Sequence, residues 1–118
     1  MDKKGEMMQY QHKSLAAGRW AQMSLSEQMA NIGSEVSRAL NWKRKNHEKY
    51  CQKSVVRALE LIALTIDSVT VKSHIKELTR LREVLLDYFY GNNEFCSSEI
   101  LWEKYFTHFN LAARNRRT

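Results

Sequence analysis

The chain has 118 residues, of which 43% are apolar and 27% are charged, and its net charge is +6. This length and composition predict one compact domain with a core of its own, and they exclude disordered, collagen-like and low-complexity classes. No apolar run approaches the roughly 20 residues that a membrane span needs, so we expect no membrane association.

Residues 1–22 have the weakest pattern, and we expect an N-terminal arm or a short extra helix there. The first strong helix is predicted for about residues 26–45, because Ser24 and Glu27 have the spacing of a capping box and apolar residues then recur every three or four positions. Gly33 lies near the edge of this apolar face, where the missing side chain would let a neighbouring helix approach. Asn46 and His47 are predicted to break the helix.

The second helix, predicted for about residues 47–67, has two apolar faces. The larger face comprises Cys51, Val55, Ala58, Leu59, Ile62 and Ile66. Tyr50, Leu61 and Leu64 lie roughly opposite it. A helix with two apolar faces either lies centrally in a bundle or contacts a second chain. We therefore predict that these three residues form an interface, covered by a second copy in a homodimer or by residues 7–20 of the same chain.

A β-branched connector at residues 67–71 precedes a third helix, predicted for about residues 72–90. Gly91, Asn92 and Asn93 are expected to end it, because these residue types tolerate the left-handed conformation of a helix C-terminus. Ser97 or Ser98 is expected to cap a fourth helix. Its broad aromatic core face is predicted to comprise Leu101, Trp102, Tyr105, Phe106, Phe109, Ala112 and Ala113. The predicted fold is all-α: an antiparallel four-helix bundle with an N-terminal arm or short extra helix. The expected parts are residues 1–22 (arm), 23–113 (bundle) and 114–118 (basic tail).

The sequence lacks the motifs of the common catalytic and cofactor sites. It has no Gly-rich phosphate loop, no Glu-x-x-His pair of the kind found in di-iron bundles, and no ligand spacing among its four histidines. Cys51 and Cys96 form no CxxC motif and fit free thiols in a reducing cytosol, and the charged start leads into no apolar signal core. We therefore expect a cytoplasmic protein with no catalytic residues, no cofactor and no metal.

Positive charge is concentrated in two places, the segment from position 43 to 57 and a C-terminal cluster of Arg114, Arg116 and Arg117. Between positions 43 and 57 the basic residues are Lys43, Arg44, Lys45, Lys49, Lys53 and Arg57. Only Glu48 opposes these six, which leaves +5 within 15 residues. The cluster predicts either a solvated surface that confers solubility or a binding surface for an acidic partner such as nucleic acid. The nearest aromatic residues, Trp42 and Tyr50, are too few to diagnose the stacking of single-stranded bases.

Arg82 is the most unusual single residue of the predicted core. On a helical wheel it falls near the middle of the apolar face of the third helix. A buried guanidinium needs a carboxylate partner, and Glu35 on the first helix is the candidate. The alternative is that the arginine stem follows the bundle edge to water. Glu35 and Arg82 are thus candidate buried polar residues.

Four segments resemble a family of small, all-helical bacterial and archaeal proteins of unknown function: residues 24–39 (SLSEQMANIGSEVSRA), 57–61 (RALEL), 80–84 (RLREV) and 87–93 (DYFYGNN). The resemblance covers about residues 14–113, and it implies boundaries without implying an activity. In architecture and charge the chain is also similar to the basic four-helix accessory proteins of diversity-generating retroelements and ribosomal intervening sequences, some of which bind nucleic acid and oligomerise. The Arg-x(4–6)-His motif of helical toxin ribonucleases is absent.

Three functions follow from these patterns. The first is a non-enzymatic helical module that binds another protein or self-associates through Tyr50, Leu61 and Leu64. The second is a nucleic-acid-binding accessory protein that uses the basic cluster. The third is an unrecognised enzyme with a site near Glu35 and Arg82.

Overall fold

The structure, a computed structural model, describes residues 18–117, with side chains described for residues 18–115. Helical residues 18–21 precede four long helices: α1 (Leu25–Arg44), α2 (Glu48–Ser68), α3 (Lys72–Tyr90) and α4 (Glu99–Arg117). The fold is an antiparallel four-helix bundle with an extra N-terminal helix, so the predicted fold class is confirmed. None of these helices is long and apolar enough to cross a membrane.

The start of α1 is set by the predicted capping box. Ser24 Oγ accepts from the Glu27 N–H at 3.1 Å, and the Glu27 carboxylate accepts from the Ser24 N–H at 3.2 Å. The helix begins at Leu25, one residue earlier than predicted. It ends at Arg44, and Asn46 then adopts a φ of 59°, a left-handed conformation that asparagine tolerates better than most residues. The predicted break between the first two helices is thereby confirmed.

The connection between α3 and α4 ends the third helix at Tyr90, as predicted, and one of the three expected residues, Asn93, is left-handed. Gly91 is extended, with a φ of −105°, and the left-handed residues are Asn93 and Cys96, with φ of 54° and 55°. The Asp87 carboxylate holds the loop by accepting two backbone N–H groups beyond the helix end. Ser98 Oγ then accepts from the N–H three residues on, which identifies Ser98 as the cap of α4.

Helices α1 and α2 both lie centrally, because α1 packs against α2 and α4 while α2 packs against α1 and α3. Of the two alternatives for the second helix, the central position is the one observed. The buried apolar residues of the described chain are Trp20, Met29, Ile32, Val36, Ala39, Leu40, Cys51, Val55, Ala58, Ile62, Leu78, Leu81, Leu85, Trp102, Phe106 and Ala113. A Cβ on Gly33 would lie 2.8 Å from the Phe106 ring. The predicted role of Gly33 in close helix approach is therefore confirmed. Leu101, predicted on the core face of α4, is 53% exposed because Trp102, the next residue round the helix, faces the core instead.

One end of the bundle, which we call the closed end, is held by a polar network of Trp20, Gln28, Thr65 and Ser68. Trp20 Nε1 donates to Thr65 Oγ1 at 2.9 Å. Gln28 Nε2 donates to the Trp20 carbonyl at 2.8 Å and to Ser68 Oγ at 3.1 Å. These bonds join the N-terminal helix to α1 and α2 across a long sequence separation.

Candidate functional site

The opposite end of the bundle carries three aromatic side chains around the turn between α1 and α2. Trp42, in the last turn of α1, lies 4.9 Å from Tyr50 and 5.3 Å from His47, measured between ring centroids. The His47 N–H donates to the Trp42 carbonyl at 2.9 Å, which closes the turn after left-handed Asn46. The reversal places the first turn of α2 beside the last turn of α1, so the three rings meet.

Lysine side chains lie over two of these rings. Lys45 Nζ is 5.5 Å from the Trp42 ring centroid, and Lys53 Nζ is 5.8 Å from that of Tyr50. Both distances are within the range of a cation–π interaction. Trp42 is half-buried, whereas the other residues of this group, His47 included, are exposed. We call Trp42, Lys45, His47, Tyr50 and Lys53 the basic–aromatic surface.

The C-terminal turn of α3 brings further aromatic side chains to the same end. Lys43 Nζ lies 4.1 Å from the Tyr88 ring centroid. Burial, followed by the charges of Cys51 and Glu48, raises the pKa of Tyr90, the last residue of α3. Tyr90 is nevertheless 46% exposed. Helix α3 therefore adds aromatic residues that lie about 40 positions away in sequence from the basic cluster.

All six basic residues of the predicted cluster are exposed, and α2 arranges half of them in a row. Lys49, Lys53 and Arg57 are spaced by four residues and therefore share one face of the helix, at intervals of about 6 Å. Arg44 forms an ion pair within the chain, because its Nε lies 3.0 Å from a Glu99 carboxylate oxygen on α4. The row on α2 presents its charge to solvent beside the basic–aromatic surface.

Cys51 lies beneath this end rather than on it. The side chain is 6% exposed and packs with Ala39 and Val55. Burial raises the pKa of the Cys51 thiol, Glu48 adds to the increase, and Lys43 opposes it. A buried, protonated thiol is a poor nucleophile, so Cys51 has the predicted role of a small apolar core residue.

The candidate buried pair of Glu35 and Arg82 is a wrong prediction. Arg82 is exposed, and Glu35 instead pairs with Arg38, whose Nη1 lies 3.2 Å from its carboxylate on the same helix. The long arginine stem carries its charge to water from the helix surface, which avoids the cost of burial. The helical wheel failed here because α3 buries only a narrow stripe, comprising Leu78, Leu81 and Leu85. An enzyme site centred on this pair loses its basis.

The three predicted interface residues do not form one surface. Leu61 and Leu64 are half-buried and pack against the core cluster that contains Trp20, whereas Tyr50 belongs to the basic–aromatic surface. Tyr50 and Leu61 are separated by about 16 Å along α2. Core packing thus covers part of this second apolar face at the closed end. Residues 7–17 of the predicted cover lie outside the described residues.

Two further concavities lie along the bundle. A groove of about 320 Å³ between α3 and α4 is lined mainly by apolar side chains, including Leu81, Val84 and Leu101, with a polar edge where Tyr105 Oη donates to Glu77 at 2.9 Å. Burial, and then this hydrogen bond, raises the pKa of Tyr105 well above its ordinary value. A second cavity of about 310 Å³ lies along the contact between α1 and α4. Within residues 18–117, no group of three or more His, Cys, Asp or Glu side chains has the arrangement of a metal site.

No protein-family model, curated protein or solved structure matches the chain. The fold and the surface together define the class: an all-α bundle with exposed cations and aromatic rings concentrated at one end. The sequence identified the basic residues and two of the rings. It did not indicate Tyr88 and Tyr90 as part of the same end, because only the antiparallel packing of the helices brings them there.

Proposed function

We propose that this protein binds nucleic acid through the basic–aromatic surface and the row of Lys49, Lys53 and Arg57 beside it. The observation that carries the proposal is the convergence, at one end of the bundle, of exposed cations with the exposed Tyr50 ring of α2 and the half-buried Trp42 and Tyr88 rings of α1 and α3. Cations of this kind neutralise phosphates and release counterions, which is the main source of affinity in sequence-independent binding.

The free thiols Cys51 and Cys96 support a proposed cytoplasmic location.

The packing of α2 favours this function over the self-association that the sequence suggested first. Leu61 and Leu64 were predicted to form an interface because an exposed apolar stripe is unusual on a monomer. Both side chains pack against the core cluster, so they leave little exposed apolar surface for a partner to cover. The basic–aromatic surface, by contrast, has exposed lysines and a Tyr50 side chain that is about half exposed.

A protein partner or a second copy is the second candidate, and a different surface favours it. Phe95, Ile100 and Leu101 are 46%, 63% and 53% exposed, and Leu101 lines the groove between α3 and α4. If this surface mediates a homodimer, Leu101→Glu should convert the dimer to a monomer in sedimentation experiments. A wild-type chain that is monomeric at high concentration would remove the homodimer.

The main proposal is tested by binding labelled RNA and DNA across a series of salt concentrations. The triple variant Lys45→Glu, Lys49→Glu, Lys53→Glu should weaken binding by at least about tenfold, because about three lost phosphate contacts change the log–log salt slope by about 2. The matched control reverses Lys72, Lys76 and Arg114, which lie toward the opposite end of the bundle. Three reversals of 2 charges each bring the net charge of either variant from +6 to 0.

The control separates a local binding surface from a general effect of charge. If the control variant retains affinity while the first loses it, the basic end is the binding surface. Equal losses in both variants would show that only net charge matters and would contradict the proposal. So would a failure of the wild-type protein to bind any RNA or DNA below about 10 μM at low salt, since this is tighter than much non-specific binding. Circular dichroism establishes that both variants remain folded.

A further inference from the structure

The exposed rings of the basic–aromatic surface are not needed to neutralise phosphates, and they indicate which form of nucleic acid it binds. We infer that the protein binds single-stranded RNA or DNA in preference to duplex, with bases stacked on Tyr50 and Trp42. The inference rests on the proposed function and specifies its ligand. A purely electrostatic surface would bind either form of nucleic acid through phosphates alone.

The geometry of the two rings supports stacking. Tyr50 and Trp42 are 4.9 Å apart with an interplanar angle of 39°, a tilted pair of rings that we call the aromatic platform. Tyr50 is 48% exposed, which leaves much of its ring in solvent. A duplex offers aromatic side chains no free base faces without unstacking, whereas every unpaired base offers its π face.

A lysine ammonium group lies over each ring of the platform, where it can reach the phosphates of a bound strand. Lys45 lies at the Trp42 side and Lys53 at the Tyr50 side, each within 6 Å of its ring centroid. Lys49, in the same row as Lys53, is exposed between them in sequence. An aromatic platform bordered by positive charge is the arrangement that binds single strands with little dependence on base identity.

Two acidic groups at this end are held in contacts within the chain, Glu48 on the same segment and Glu99, which pairs with Arg44. Glu48, in the first turn of α2, is the only carboxylate among positions 43–57. Its Oε1 accepts a hydrogen bond from Gln52 Nε2 at 3.0 Å. The local balance of charge stays positive, with Lys45, Lys49 and Lys53 on the same segment.

The experiment measures fluorescence anisotropy of a labelled mixed-sequence 12-nucleotide single strand and of its duplex at one salt concentration. We expect the single strand to bind at least about tenfold more tightly than the duplex, and Tyr50→Leu to weaken single-strand binding by roughly tenfold. Duplex binding by Tyr50→Leu should fall by a smaller factor than single-strand binding, because a duplex is held through its phosphates. Tyr50→Phe, which keeps the ring, should retain the wild-type preference.

A second readout follows from the tryptophans. Trp20 and Trp102 are 8% and 5% exposed, whereas Trp42 is half-buried beside Tyr50. A base stacked near Trp42 should quench its fluorescence. The variant Trp42→Phe should therefore lose most of the quenching on binding, because the fluorophore beside Tyr50 is gone.

Phe95→Leu is the matched control for loss of an exposed ring. Phe95 is 46% exposed and has the Arg80 guanidinium 5.6 Å from its ring centroid, so it has similar chemistry outside the basic–aromatic surface. It should change neither affinity nor preference. Equal binding of single strand and duplex, with Tyr50→Leu neutral, would overturn stacking and leave the proposed function standing. If the protein binds neither the single strand nor the duplex, both the stacking inference and the proposed function are overturned.

Discussion

At the closed end, the polar groups of Trp20, Gln28 and Thr65 bond to one another inside the protein, whereas at the basic–aromatic end the charges and rings face solvent. Both ends contain a tryptophan in contact with α2 or its first turn. Trp20 is 8% exposed and contacts the core, while Trp42 borders an exposed tyrosine. The same residue type thus serves packing at one end and forms part of a surface at the other.

This difference separates stability from binding along the length of one small bundle. Buried polar groups that are fully paired help to specify the packing of the helices they join, and removing one partner leaves the other unsatisfied. Exposed cations and half-exposed rings contribute little to folding and are available to a ligand. Variants at the two ends should therefore separate the two properties.

The largest effect is expected from truncating the aromatic side chains at each end. Trp20→Ala should lower the free energy of unfolding by about 3–5 kcal/mol, because it removes a large buried side chain. Tyr50→Ala should change it by no more than about 1 kcal/mol, since the ring is half in solvent. Urea titrations followed by circular dichroism measure both values. Similar losses in the two variants would contradict the contrast between the ends.

A smaller effect is expected from the hydrogen bond that joins Trp20 to α2. Thr65→Val preserves the shape of a fully buried side chain but removes the acceptor of Trp20 Nε1. It should cost about 1–3 kcal/mol, because the indole N–H is left without a partner in the core. The measurement is again the urea midpoint at constant m-value.

The double variant Trp20→Phe, Thr65→Val is the control for this bond. Phenylalanine removes the donor, so the threonine substitution should cost less in the Trp20→Phe background than in the wild type. Strictly additive losses would show that the contact contributes no coupling energy. The closed end would then depend on apolar packing alone.

The reactivity of the two thiols in the wild-type protein measures how well the core beneath the basic–aromatic surface is packed. Cys96 is exposed and should react readily with a disulfide reagent at pH 8. Cys51 should react only after denaturant is added, because it is buried and its raised pKa keeps the thiol protonated below that raised value. Release of two equivalents of chromophore from the native protein would show that this end opens readily.

Local sequence signals predicted much of the fold. The capping box at Ser24, the break at Asn46 and the bounds of α3 depend on residues near one another in the chain, so short-range rules identify them. The apolar periodicity likewise placed most buried residues of α1 and α2 correctly. The predicted roles of Gly33 and Cys51 followed from their positions on these helical faces.

Periodicity was less informative where exposure depends on the position of a neighbouring helix. Leu101 and Arg82 both fall on faces that the wheel marks as apolar, yet both are exposed. Burial depends on how close the adjacent helix comes and how wide a stripe it covers. A wheel describes only the direction in which a side chain leaves its own helix.

The sequence by itself determined that this chain is all-α, where its helices begin and end to within a few residues, and that its positive charge lies between positions 43 and 57. Those properties depend on capping, periodicity and composition, which act over a few residues. Only the tertiary structure decided that Trp20 bonds to Thr65, 45 positions away, and that Tyr88 and Tyr90 reach the basic end. Such contacts depend on the antiparallel packing of whole helices, since it brings residues distant in sequence to one end of the bundle.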